Sequence, residues 1–313
     1  MSQNQTPIEP LSVGNVVSAG LRIYRDHFKS YFGLSVIVSL WSFLPFVLLI
    51  PIVLLFIFSQ LESQALLILI PLCLLLILYS SGKSIVNGSI IARLVFSELT
   101  NQPETVSDIR QILNPKIWIF LWAFFLLFLI GIGAYIGFSL GFGIFAFIIT
   151  AVGFPFQDNF VLTGIVVLIG IVIFVIALSL MIRLLTRFFI FDMPLTVEEN
   201  ITATKTLGRS WELTKGYIGR IFMILLVANL VSIPIYIVIQ IIAAIIQGIV
   251  FVNIPVETID PSFQLLSFLV GYAIGILGNI FLLPFWQAIK AVIYYDLRTR
   301  REGMGLELRK REI

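Results

Sequence analysis

Cysteine and histidine each occur once, at Cys73 and His27, and only 12% of the 313 residues are charged. A disulfide within the chain is therefore excluded, and a zinc site lacks its usual Cys and His ligands. Asp and Glu are absent from every long apolar run, so the usual carriers of coupled protons or cations inside a membrane are missing. No nucleophile–base pair or metal constellation can be assembled, and nothing in the sequence points to a cofactor or to a nucleic-acid partner. Soluble domains carry about a quarter charged residues. Here 59% of residues are hydrophobic and the mean hydropathy is +1.06, which argues against a soluble enzyme.

What is present is apolar sequence in blocks long enough to cross a hydrocarbon layer, about 20 residues at helical rise. Six such blocks fall at 32–58, 65–82, 117–149, 160–182, 221–250 and 263–285. The first follows Arg22, Arg25 and Lys29, whereas a cleavable leader places a short apolar core nearer the start, so this block is expected to be retained. Lys and Arg number 3 before the first block, 4 between the second and third, 6 between the fourth and fifth, and 7 after the last, with 0 in the other connections. Basic segments stay on the cytoplasmic side. The pattern predicts one membrane domain over 1–313, all-helical, with six spans, both termini inside and a basic tail over 297–313. The uncharged stretch 117–157 exceeds one crossing, and tilt, a protruding turn or a re-entrant piece would absorb the excess.

A threefold unit is suggested between the spans: a short amphipathic helix, an outward span, an inward span and an overhanging end. Ser18–Gly33 aligns with Thr204–Gly219 through Leu21/Leu207, Lys29/Lys215, Tyr31/Tyr217 and Gly33/Gly219. The inward spans finish at Phe96-Ser97-Glu98, Phe191-Asp192 and Tyr295-Asp296, an arrangement that a membrane interface would also select. Thr196 with Glu199 reads as a capping box, and Thr105 with Asp108 as a looser cap on a helix that Asn114-Pro115 ends. Val197, Ile201, Leu207 and Trp211 then share one predicted face, and Val13, Val17, Leu21, Tyr24 and Phe28 another.

Two stretches carry a family resemblance. Phe191-Asp192-Met193-Pro194 through Glu199, continued by Arg209-Ser210-Trp211-Glu212-Leu213-Thr214-Lys215-Gly216, is the first, and Tyr294-Tyr295-Asp296-Leu297-Arg298-Thr299-Arg300-Arg301-Glu302-Gly303 is the second. With the six-span layout they resemble the bacterial membrane-domain family named after glycerophosphodiester phosphodiesterases. The resemblance implies a multi-pass bacterial inner-membrane protein. Phosphodiesterase activity in fused members belongs to a separate soluble barrel, which this sequence lacks, so the chain is expected not to be an enzyme.

Two sets of residues are candidates for function. Asp192, Glu198, Glu199, Trp211, Tyr295, Asp296, Arg298, Arg300 and Arg301 form a predicted cytoplasmic collar, in which Arg298 or Arg300 could pair with Asp192, Glu198 or Glu199. The arginines, with Arg309, Lys310 and Arg311, could equally attract anionic lipid. Asn229, Gln240 and Asn279 are the interior polar candidates: a transporter requires them to converge on one cavity, a scaffold to be satisfied in a closed core. Lys83 and Lys290 would snorkel to the interface. Gly133, Gly137 and Gly141, and Gly271 with Gly275, read as packing ridges. Gly82-Lys83-Ser84 imitates the end of a phosphate loop, but Ile77 stands where its leading glycine is needed. The leading expectation is a non-catalytic membrane module that binds lipid or a membrane-protein partner; the alternative is a transporter of a small or lipid-like solute.

Overall fold

Unbroken apolar sequence makes long helices, and polar breaks separate them. A computed structural model of the protein describes residues 11–57, 63–148, 150, 160–251 and 261–303, in which no strand occurs. The helices are α1 (Val13–Asp26), α2 (Phe28–Ile57), α3 (Ser63–Leu99), α4 (Val106–Leu113), α5 (Ile117–Ile148), α6 (Phe160–Phe188), α7 (Met193–Val197), α8 (Ala203–Thr214), α9 (Ile218–Phe251) and α10 (Pro261–Glu302). Among the described residues α3, α5, α6, α9 and α10 are long and apolar enough to cross a membrane, which marks the chain as a multi-pass membrane protein. The predicted block at 117–149 is one unbroken helix as far as Ile148. The tail beyond 303, with Arg309, Lys310 and Arg311, lies outside the described residues, as do the connections at 58–62, 151–159 and 252–260.

The core sits at one end of the bundle, where α1, α4, α7 and α8 gather around the overhanging ends of the long helices; we call this end the collar. Its fully buried side chains include Ile90, Ile109, Leu113, Phe120, Ile190, Met193, Leu195, Leu213, Ile221, Tyr294 and Tyr295. α3 and α10, at 37 and 42 residues, are longer than one crossing requires, and their surplus supplies this core. The long helices away from the collar keep most of their Leu, Ile, Val and Phe outward, as lipid-facing helices do. α10 is central, touching α1, α2, α3, α8 and α9; α5 and α6 form a peripheral hairpin held by α3, α8 and α9.

Close approach is provided by glycines other than the predicted ridges. A Cβ on Gly20 would lie 2.7 Å from Ile289 Cδ1, and one on Gly82 would lie 2.6 Å from Ile117 Cγ1, so these positions seat α1 on α10 and the start of α5 on α3. The glycine of the phosphate-loop lookalike is thus a packing residue. Gly133, Gly137, Gly141 and Gly275 meet nothing within 4 Å, and Gly137 and Gly275 border open grooves instead of close helix contacts.

The helix starts explain one misplaced cap. Thr105 accepts from the Asp108 N–H at 3.3 Å and begins α4 as predicted. Thr196 does not begin a helix: its hydroxyl donates back to the Asp192 carbonyl at 2.8 Å inside α7. Glu198 is extended and Asn200 left-handed, so the next helix starts with Thr202, which accepts from the Lys205 N–H at 3.4 Å. Gly216, at φ +85°, ends α8 in the conformation that glycine tolerates best.

Candidate functional site

α6 ends before its chain leaves the collar, and the last carbonyls of a helix have no partner in their own helix. Side chains from α3, α8 and the turn before α5 supply such carbonyls along the end of α6 and the α6–α7 corner. Ser210 donates to the Arg187 carbonyl at 2.7 Å, Thr206 to that of Phe191 at 2.7 Å, and Arg93 Nη1 to that of Thr196 at 2.8 Å. Lys116 Nζ reaches the carbonyls of Leu195 and Glu198 at 3.2 and 3.4 Å. The α6–α7 corner is thereby fastened to α3, α5 and α8.

Three ion clusters complete the collar. Asp296, 2% exposed, accepts from Arg220 Nη2 at 2.9 Å and Arg300 Nε at 3.0 Å, and its other oxygen takes the Leu11 N–H at 2.9 Å. The Leu11 carbonyl accepts in turn from Arg220 and Arg300. Asp192 pairs with Lys290 at 2.8 Å. Glu198 takes Arg209 at 3.0 Å and the Tyr294 hydroxyl at 2.6 Å, while Arg209 also holds Glu302, which closes onto Arg298 at 2.8 Å. Burial opposes the charge on Arg209, but hydrogen bonds and charges from Glu198 and Glu302 outweigh it and raise its pKa above the usual value.

The predicted collar residues are therefore brought together with different partners. Arg298 and Arg300 pair with Glu302 and Asp296, not with Asp192, Glu198 or Glu199. Lys290 does not snorkel away but neutralises Asp192, and Lys83 donates to Asn114 Oδ1 at 3.3 Å. Arg301 reaches the Lys215 carbonyl, and Glu199 is exposed on a shallow groove with Lys205 and Glu212. Of the aromatic–acid ends, Phe96, Phe191, Asp192, Tyr295 and Asp296 are buried, whereas Glu98 is partly exposed and lies 3.4 Å from His27 Nδ1. Trp211 leaves the buried face of α8, which runs through Ala203, Thr206, Leu207, Ser210 and Leu213. Leu21 and Phe28 are likewise outside the buried face of α1, where Val16, Val17, Gly20, Ile23 and Tyr24 pack.

The interior polar candidates divide. Asn229 donates to the Leu225 carbonyl of its own helix at 2.9 Å. Gln240 and Asn279 share a groove of about 550 Å³ between α2, α9 and α10, with Ser42, Tyr236 and Tyr272. From Ser42, which lies 2.8 Å from the Ser84 hydroxyl, buried Ser35, Ser39 and Ser80 continue between α2 and α3 without a hydrogen-bond partner.

A second cleft, of about 570 Å³, opens beside the collar between α5, α6 and α8. Ala134, Gly137, Phe138, Ala177, Leu180 and Met181 form its apolar walls, and Arg183, Arg187 and Trp211 close its collar end. The Arg187 guanidinium stacks on Trp211 at 3.6 Å, and its Nη1 is buried without a hydrogen-bond partner. Sequence reasoning counted Arg183 and Arg187 only as orientation charges; their one-turn spacing at the end of an apolar run was the available signal.

Among the described residues no group of three or more His, Cys, Asp or Glu side chains is placed to hold a metal ion. No family model, no curated protein and no solved structure matches the chain.

Proposed function

We propose that the chain is a non-catalytic integral membrane module, with six spans and both ends on the cytoplasmic side of a bacterial inner membrane, that holds membrane lipid or a membrane-protein partner. The observation that carries this reading is the collar: its buried carboxylates Asp296 and Asp192 are neutralised by Arg220 and Lys290, far away in sequence, which supports a rigid platform rather than a reacting centre. α2, at 30 residues, supplies the sixth span, and the described Lys and Arg residues belong to the collar or the helix ends entering it. That distribution supports the inward orientation.

The threefold repeat is part of the proposal. A short helix, α1, α4 or α8, stands directly before two long ones three times over, with the five-residue α7 additional before α8, and the hairpins meet in a ring, α3 with α5, α6 with α9, and α10 with α2. Each short helix packs on the hairpin before it in that ring: α4 on α3, α8 on α5 and α6, and α1 on α9 and α10. The resemblance of segments 191–199, 209–216 and 294–303 to the phosphodiesterase membrane-domain family belongs to the same reading, without phosphodiesterase activity.

Native mass spectrometry of protein extracted in a mild detergent tests the proposal. A lipid or companion subunit at fixed stoichiometry is expected; bare protein alone would overturn it. The second reading, a transporter of a small or lipid-like solute, is favoured by one observation, the unpartnered hydroxyls leading from the Gln240–Asn279 groove. In a Cys73→Ser background, Ser39→Cys should resist a membrane-impermeant thiol reagent added from either side if the bundle is a scaffold. Rapid labelling would select the transporter instead.

A further inference from the structure

We infer that the cleft between α5, α6 and α8 is a binding site for one anionic glycerophospholipid, whose phosphate meets Arg187 and Arg183 while an acyl chain lies against Ala134, Phe138, Leu180 and Met181. This names a ligand class for the module proposed above and rests on that reading.

The wall chemistry is graded along the cleft. The apolar lining leads at one end to two arginines a helical turn apart on α6, near Trp211. Arginine suits phosphate because its planar fork offers paired donors. Arg187 is also fixed in place: Trp211 covers one face of the guanidinium at 3.6 Å, and Ser210 holds the Arg187 carbonyl. Its Nη1 is enclosed without a hydrogen-bond partner, a buried donor of the kind that an absent acceptor explains. Arg183 forms no ion pair with a carboxylate among the described residues, whereas Arg209, Arg220, Arg298 and Arg300 are all committed to one.

Depth agrees with this assignment. From Arg183 to Phe160 along α6 is about 35 Å at helical rise, close to the roughly 30 Å of a hydrocarbon core. With α6 across the bilayer, the arginines fall at the headgroup level of the collar side and the apolar walls fall within the acyl layer. A soluble phosphate would leave those walls bare.

The three hairpins are unequal at this point. Arg187 stands one turn before the aromatic–acid pair Phe191-Asp192; the corresponding residues before Phe96 and Tyr295 are Ala92 and Ala291, both fully buried. Where α3 and α10 pack an alanine into the core, α6 presents a cation beside an open cleft.

The test uses the full chain in mild detergent, titrated with phosphatidylglycerol or phosphatidylcholine and read by native mass spectrometry. Wild type should retain a single phosphatidylglycerol at least tenfold more strongly than phosphatidylcholine. Arg183→Gln with Arg187→Gln should abolish that preference, and Arg187→Lys should keep only part of it. Gly137→Phe, which fills the cleft from α5 where nothing lies within 4 Å of a Cβ, should lose lipid retention with the collar arginines intact. It provides the test if the arginine variants fail to fold. Equal retention of the two lipids by wild type, or retention unchanged in Gly137→Phe, would overturn the site. Displacement of the lipid by inorganic phosphate would overturn the acyl-chain assignment. If a lipid or subunit copurifies but survives these variants, the site fails and the module reading stands; if nothing copurifies, both fail.

Discussion

Asp296→Ala is expected to destabilise the protein by about 3–5 kcal/mol, the usual cost of stripping one partner from a buried ion cluster. The carboxylate serves two arginines and the Leu11 N–H at once, so its loss leaves two half-buried cations and one amide without their acceptor. Asp296→Asn keeps the shape and one acceptor oxygen for Leu11, and should cost less than the alanine, although its NH2 group sets a donor against Arg220 and Arg300 where the carboxylate accepted from both. Thermal unfolding of the detergent-purified protein, followed by the fraction that remains monodisperse, measures both. A loss within about 1 kcal/mol, the range of exposed pairs, would show that water reaches the cluster and that the collar is not the closed core described above.

Lys290→Ala should be nearly as damaging, for a different reason. Lys290 is the cation that neutralises Asp192, whose side chain is 4% exposed and whose Oδ1 already has no partner. Removing it leaves a carboxylate buried alone, again a loss of about 3–5 kcal/mol, whereas replacing both members by apolar residues of similar volume is often neutral or stabilising. Asp192→Leu combined with Lys290→Met should therefore recover most of the stability lost by Lys290→Ala, with the same thermal assay. A double variant no more stable than the single one would mean that the pair fixes the α6–α7 corner through its geometry and not merely through its charge balance.

The long helices were legible because hydropathy sums over some twenty residues, so an error of two or three at either end leaves the answer unchanged. Partner choice has no such averaging. Asp192 and Lys290 are 98 residues apart, and their meeting depends on how α10 packs against the start of α7, which no local pattern records. Gln240 and Asn279 line one groove, but Asn229 does not join them: its side chain found a carbonyl on its own helix, an alternative always open to a polar residue in an apolar helix. The Thr196 cap failed for a related reason, since the hydroxyl could bond backwards to Asp192 as readily as forwards. Asn200, which takes φ 55°, was the available sign that the chain turns there and restarts at Thr202. Trp211 lies outside the buried stripe of α8, because the small polar residues Thr206 and Ser210 occupy that stripe to bond the carbonyls of Phe191 and Arg187.

The peptide group of Leu11 is gripped by side chains from α9 and α10, and its bond to Asp296 bridges 285 positions of sequence. Leu11 thus finds its partners only after α9 and α10 have been made. Until then α1 must wait with an apolar stripe uncovered. A product that stopped before α10 would keep that stripe, which seats Gly20 on Ile289 and Tyr24 on Phe281, on display, offering quality-control proteases a ready means of telling finished copies from unfinished ones.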